Sequence, residues 1–253
     1  MQVLVLPTRD TAALAVAGFL AQTLRRAPDV VLGLPTGRTM IPVYRGLVRL
    51  HESGLADFSR ATTFNLDEFT GLPPGHPGSF HAYMRQHLFD HVNLPGGAAH
   101  FPRSARAKGS AYDRLIERAG GLDVCLVGIG RNGHIGFNEP ASALTAETHR
   151  VKLKAATRRS NAYLYGDRPE NVPKFAMSMG IGTILRARAV ILLALGAAKA
   201  EIVRAATTGP VTARVPASLL QTHPNVVVVL DREAAGLPRR SRNGGGGSAR
   251  RRA

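Results

Sequence analysis

Tryptophan is absent from the sequence and cysteine occurs once, at Cys125. One thiol cannot close a disulfide within the chain or supply the paired Cys ligands of a structural zinc site. Long apolar runs are missing too. Runs such as 189–198 reach only ten residues, well short of the ~20 that span a bilayer as a helix. The first residues are apolar but carry no basic segment, and Arg9 and Asp10 interrupt them. That pattern argues against a secretory leader and for a cytoplasmic protein with no membrane partner. Acids are also scarce, 17 against 33 Lys and Arg, for a net charge of +16.

What is present divides unevenly. Six of the positive charges are arginines at or after Arg239, where no acid occurs, so residues 1–238 carry 27 bases against 17 acids, a net of +10. Only five of the 33 bases are lysine, and nine Phe and five Tyr are not interleaved with basic residues. Base stacking needs such interleaving, so no specific nucleic-acid partner is expected. An anionic small molecule suits the charge better. With 253 residues and 44% hydrophobic composition, the length fits one large α/β domain or two small ones. The segment 238–253 contains Gly244-Gly245-Gly246-Gly247-Ser248 and reads as a disordered basic tail with a flexible linker. That leaves residues 1–237 as the folded unit.

Within that unit, short apolar runs alternate with helical patterns, the rhythm of a parallel sheet crossed by helices. Strands are predicted at Val3–Leu6, Val30–Leu34, Ala61–Asn65, Leu122–Val127, Ala189–Leu195 and Val226–Leu230. Helices are predicted near Thr11–Arg26, Val43–Leu50, Ser79–His91, Tyr112–Ala119, Ile181–Leu185 and Lys199–Ala206. Residues 66–78, rich in Pro and Gly, read as an ordered loop.

Four segments carry chemistry. Thr36-Gly37-Arg38-Thr39 follows a strand and precedes a helix, a place where backbone N–H groups and the helix dipole favour an anion. No Gly-Lys-Ser/Thr follows, so it is not a Walker loop. Asp67-Glu68 ends another strand, where carboxylates of an α/β sheet meet ligands. One of the two can serve as a general base, although for an isolated Asp-Glu pair a solvated turn is the commoner outcome. Gly128-Ile129-Gly130-Arg131-Asn132-Gly133-His134 continues to Asn138-Glu139-Pro140. Its glycines match the spacing of a dinucleotide fingerprint, yet no helix pattern follows, which excludes that reading. His134 titrates near neutrality and can give and take a proton in one cycle, with Asn132 or Glu139 fixing its tautomer. Lys199 follows a buried strand and can hold a phosphate at the sheet edge. His87 and His91 stand four apart but lack the zinc-protease signature between them, so no metal site is expected there.

Taken together these segments resemble the glucosamine-6-phosphate deaminase family, within the group that includes 6-phosphogluconolactonases, and its short non-allosteric type. The resemblance runs from about Leu4 to Asp231. Its most specific pieces are Phe64-Asn65-Leu66-Asp67-Glu68-Phe69 and the stretch from Gly128 to Pro140, whose Phe137-Asn138-Glu139-Pro140 ending favours the deaminase branch. The resemblance implies a single-domain, Rossmann-like, mostly parallel sheet flanked by helices. It also implies conversion of glucosamine 6-phosphate and water to fructose 6-phosphate and ammonia, with no cofactor and no metal. A galactosamine-6-phosphate deaminase, a 6-phosphogluconolactonase and a non-catalytic sugar-phosphate sensor are the alternatives. Carried over, His134 opens the sugar ring, Asn132 and Glu139 orient it, and Asp67 moves a proton between C2 and C1. Thr36, Gly37, Arg38, Thr39, Glu68 and Lys199 bind substrate. Two positions depart: Asn132 stands where many deaminases have Asp, a mild change, and Tyr163 stands where the family usually has an Arg that binds phosphate. Arg158, Arg159 and Arg168 are the nearby candidates to compensate; without compensation either a different amino sugar phosphate or poor affinity is expected. The sequence does not choose between a monomer and a homo-oligomer.

Overall fold

The structure is a computed structural model and describes residues 1–73, 75–102 and 110–238. The basic tail expected over 238–253 lies outside them from Arg239 onward. The chain begins with β1 (Gln2–Leu6), α1 (Arg9–Arg26), β2 (Val31–Leu34), α2 (Ile41–Glu52), β3 (Thr62–Asn65) and β4 (Asp67–Phe69). It continues through α3 (Phe80–His87), β5 (Ala99–His100), α4 (Ser110–Arg118), β6 (Val124–Gly128), β7 (His149–Lys152) and α5 (Ala155–Asn161). The last elements are β8 (Phe175–Ser178), α6 (Ile181–Leu185), β9 (Ala189–Ala194), α7 (Ala200–Thr208) and β10 (Val226–Asp231).

Seven strands form one sheet in the order β1-β10-β9-β6-β2-β3-β5, and every pairing in it is parallel. Alternation along each strand sorts side chains between the two faces. Leu32, Leu34, Val124, Leu126, Ile191 and Leu193 pack against α1 and α2. Val31, Cys125, Val127, Val190 and Leu192 pack on the other face with residues of α4, α6 and α7. Both faces are covered, as an all-parallel sheet requires. Cys125 belongs to this packing; burial pushes its thiol up to about 12, which leaves it inert.

The element boundaries follow local chemistry. Thr8 caps α1 reciprocally: its hydroxyl accepts from the Thr11 N–H at 3.1 Å while the Thr11 hydroxyl accepts from the Thr8 N–H at 3.0 Å. Ser79 caps α3 by accepting from the Ala82 N–H. That helix stops at His87 and passes into a separate short 3-10 turn, Phe89–His91, rather than running unbroken to His91.

A second sheet was not predicted. β4, β8 and β7 pair antiparallel in that order, so the segment read as a loop from residue 66 begins as a strand. Asp67 faces Ser178 across that pairing and Phe69 faces Ala176. A partner more than 100 residues away leaves no local trace in a three-residue strand.

The strand order also fixes where a ligand can enter. From β2 the chain moves outward through β3 to β5, then returns to place β6 on the other side of β2. The connections leaving β2 and β6 therefore diverge, opening a crevice at the carboxyl ends of these two strands.

Candidate active site

A cavity of about 430 Å³ occupies that crevice, lined by Thr36–Thr39 from the connection after β2, by Asp67, by residues from Gly128 to His134, and by Lys199. Its size falls in the range of small-ligand sites. The structure thus brings together Thr36, Gly37, Arg38, Thr39, Asp67, Asn132, His134 and Lys199. Two predicted residues do not line it. Glu139 stands behind Asn132, and Glu68 turns elsewhere.

The loop after β2 is shaped by Gly37, whose φ of +112° is a conformation L side chains rarely adopt. Two buried tyrosines pin its carbonyls: Tyr44 donates to Pro35 O and Tyr83 to Gly37 O. Lys199 closes the opposite wall, donating from Nζ to Ile129 O at 2.7 Å. Burial, with the Arg131 charge nearby, lowers its pKa. An anion arriving here meets a partly desolvated cation.

Asp67 and Glu68 sit side by side, and strand geometry sends them to opposite faces. Asp67 is 6% exposed, and no hydrogen bond or ion pair reaches its carboxylate among the described residues. Burial first, and the Glu68 charge second, push its pKa up to about 8. Glu68 accepts from the N–H groups of Phe69, Phe80 and His81 at 2.8–2.9 Å. It caps α3, where the donors of the helix start satisfy it, and does not line the cavity.

The turn after β6 presents His134. A Cβ on Gly130 would lie 2.1 Å from the imidazole, so only glycine lets the ring pack there. Asn132 joins this ring to Glu139. Its Nδ2 donates to the Glu139 carboxylate at 2.7 Å, which can only accept. Asn132 Oδ1 therefore faces His134 Nδ1, 2.7 Å away, and Nδ1 must carry the proton. That leaves Nε2 with a free lone pair, the form of a general base. Burial lowers the His134 pKa; Glu139 opposes this, and the charges of Lys199 and Lys154 push it further down. The neutral imidazole is thus the resting form near pH 7.

Sequence reasoning missed Thr157, which is buried in α5, lines the cavity and donates to Glu139. A threonine in a segment without strand or motif pattern gives no signal of this. Of the three arginines proposed to compensate for Tyr163, Arg158 is committed to the carbonyls of Val172 and Glu170, and neither Arg159 nor Arg168 lines the cavity.

A crevice at the switch point of a parallel sheet, holding a buried carboxyl, a tautomer-fixed imidazole and three cations, Arg38, Arg131 and Lys199, defines an acid–base enzyme for a small anionic substrate. The model of the glucosamine-6-phosphate isomerases/6-phosphogluconolactonase family matches residues 7–229, and the chain belongs to that family. It is 45% identical to a glucosamine-6-phosphate deaminase of Rhodopirellula baltica, over 94% of this chain and 96% of the relative. It is 44% identical to glucosamine-6-phosphate deaminase 2 of Bacillus subtilis, over 87% and 90%. A solved structure described as a monomeric glucosamine-6-phosphate deaminase superposes with a TM-score of 0.89 at 40% identity, covering 94% of this chain and all of that one. The 6-phosphogluconolactonase of Trypanosoma cruzi shares the fold, with a TM-score of 0.70 at 18% identity.

Proposed function

We propose that this chain converts glucosamine 6-phosphate and water to fructose 6-phosphate and ammonia. The observation that carries the reading is the meeting of Asp67 and His134, two groups able to exchange protons near neutral pH, in one cavity that also holds cations. His134 takes the proton of the C1 hydroxyl on Nε2 and returns one to the ring oxygen, opening the pyranose to the aldehyde. Asp67, ionised, removes the proton from C2 and delivers it to C1, while one proton of the C2 ammonium passes to the aldehyde oxygen and makes it the C1 hydroxyl. The double bond moves to C2–N, and water then adds at C2 as ammonia leaves. Asn132 and Glu139 hold the imidazole in the tautomer this needs. Thr36–Thr39 and Lys199 bind the 6-phosphate, at the end of the substrate remote from C1 and C2.

The deciding measurement is ammonia release from glucosamine 6-phosphate, run beside galactosamine 6-phosphate and 6-phosphogluconolactone. Turnover of the first is expected to exceed the others and to drop on the order of 10²–10⁴-fold in Asp67→Asn and His134→Gln. Full rate in either variant would remove that residue from the mechanism; faster turnover of the lactone would replace the reaction. The same reading places the enzyme in the cytoplasm, consistent with a single cysteine and with the absence, among the described residues, of a helix long and apolar enough to cross a membrane. It also includes no activation by an N-acetylated sugar phosphate and no nucleic-acid partner.

A further inference from the structure

The strongest observation outside the mechanism concerns Arg38 and Tyr163. The Arg38 guanidinium carbon lies 4.3 Å from the centroid of the Tyr163 ring, directly over its face. Both residues line the cavity, yet they come from opposite walls, the loop after β2 and the short helical turn Ala162–Tyr165 that follows α5. We propose that Tyr163 is a positioning residue that holds Arg38 over the cavity, so that the bidentate cation for the substrate's phosphate comes from residue 38. The proposal rests on the phosphorylated-sugar reading above.

Four features support it. Arg38 makes no hydrogen bond or ion pair among the described residues, so the N–H fork of its guanidinium is open to an incoming anion. A long side chain on an exposed loop loses rotamer freedom when it clamps a ligand, and stacking on a half-buried ring takes much of that loss beforehand. The Tyr163 hydroxyl, by contrast, is buried with no partner. The ring face, not the hydroxyl, is therefore what the site uses. The loop itself is held: Gly37 supplies the left-handed turn just before Arg38, and the buried Tyr83 hydroxyl donates to the Gly37 carbonyl at 2.8 Å.

Steady-state ammonia release should be compared in wild type, Tyr163→Leu, Tyr163→Gln, Tyr163→Phe, Arg38→Gln and the Tyr163→Leu/Arg38→Gln double variant. Loss of the ring is expected to raise KM about tenfold with kcat little changed, because a phosphate contact remote from the reacting carbons binds ground and transition states alike. Tyr163→Phe restores the wild-type KM. With Arg38 already removed, losing the ring adds less than about twofold, the signature of one coupled unit. Effects that multiply in the double variant would overturn the proposal, as would a Phe variant as impaired as Leu. Tyr163→Gln stands in should Tyr163→Leu not fold. Calorimetry with inorganic phosphate on the same proteins reads the coupling without turnover. A wild type silent toward glucosamine 6-phosphate that still shows the coupling would sink the deaminase reading alone; active protein without coupling would sink only this inference.

Discussion

Buried and without a hydrogen-bond partner, the Asp67 carboxyl keeps its proton to about pH 8, whereas the reaction needs it ionised. The ionised fraction grows with pH, so kcat/KM is expected to climb about tenfold per pH unit below about pH 8 and to level above it. A flat profile between pH 6 and 8 would contradict this. The same shift bears on stability. The unfolded chain releases this proton near an ordinary carboxylate value of about 3.9, while the folded chain holds it to about 8. Ionisation of Asp67 therefore opposes folding, increasingly from pH 4 to 8 and constantly above. Asp67→Asn should melt higher than wild type by a margin that widens across that window; a margin that narrows would show the carboxylate to be stabilised in the fold. Beside it, Glu139→Gln frees Asn132 to turn its amide over, and the His134 tautomer is no longer imposed. A fall in kcat on the order of 10²-fold, with the fold intact by circular dichroism, is expected. The Asn132–His134–Glu139 spacing was readable because its residues lie within one turn. The division of labour between Asp67 and Glu68 was not, since adjacent acids look alike until a strand separates their faces. A helix start at Ser79 leaves backbone donors that a nearby carboxylate can satisfy.

At the scale of elements, Glu68 ties β4 to the start of α3 through two of its three backbone partners. Replacing it with alanine leaves buried donors unpaired and is expected to lower unfolding free energy by about 1–3 kcal/mol. Urea melts should show the midpoint falling with the slope m unchanged; an unaltered midpoint would mean that water serves these groups equally well. Glu68→Ala also removes the second contributor to the raised Asp67 pKa, so the acid limb of its rate profile should move to lower pH. The large sheet was legible because its inner strands are continuous apolar runs of four to six residues, Val31–Leu34, Val124–Gly128 and Ala189–Ala194. The small sheet was not. β4 is Asp-Glu-Phe and β7 is His-Arg-Val-Lys, too short and too charged to stand out. Their pairing is set by β8, which arrives late in the sequence.

For the molecule as a whole, the positive surplus divides between the body and the last fifteen residues, where six arginines lie without an acid. Any attraction to DNA is expected to be of the counterion-release kind, steep in salt and removed by deleting residues 239–253. Affinity that survives both the deletion and 200 mM salt would revive a nucleic-acid role. The order of the strands has a further consequence, in time rather than space. Among the described residues β1 pairs only with β10, Gln2 against Val227 through Leu6 against Asp231. Val3, Leu4 and Val5 are at least 39% exposed even after that pairing. At roughly 5–20 residues per second, synthesis leaves β1 without its partner for ten seconds or more. Every residue that lines the cavity, the last being Lys199, has been made before Val226 emerges. A ribosome-bound chain halted just short of β10 would thus carry a complete set of cavity side chains beside an apolar strand with nothing to pair with.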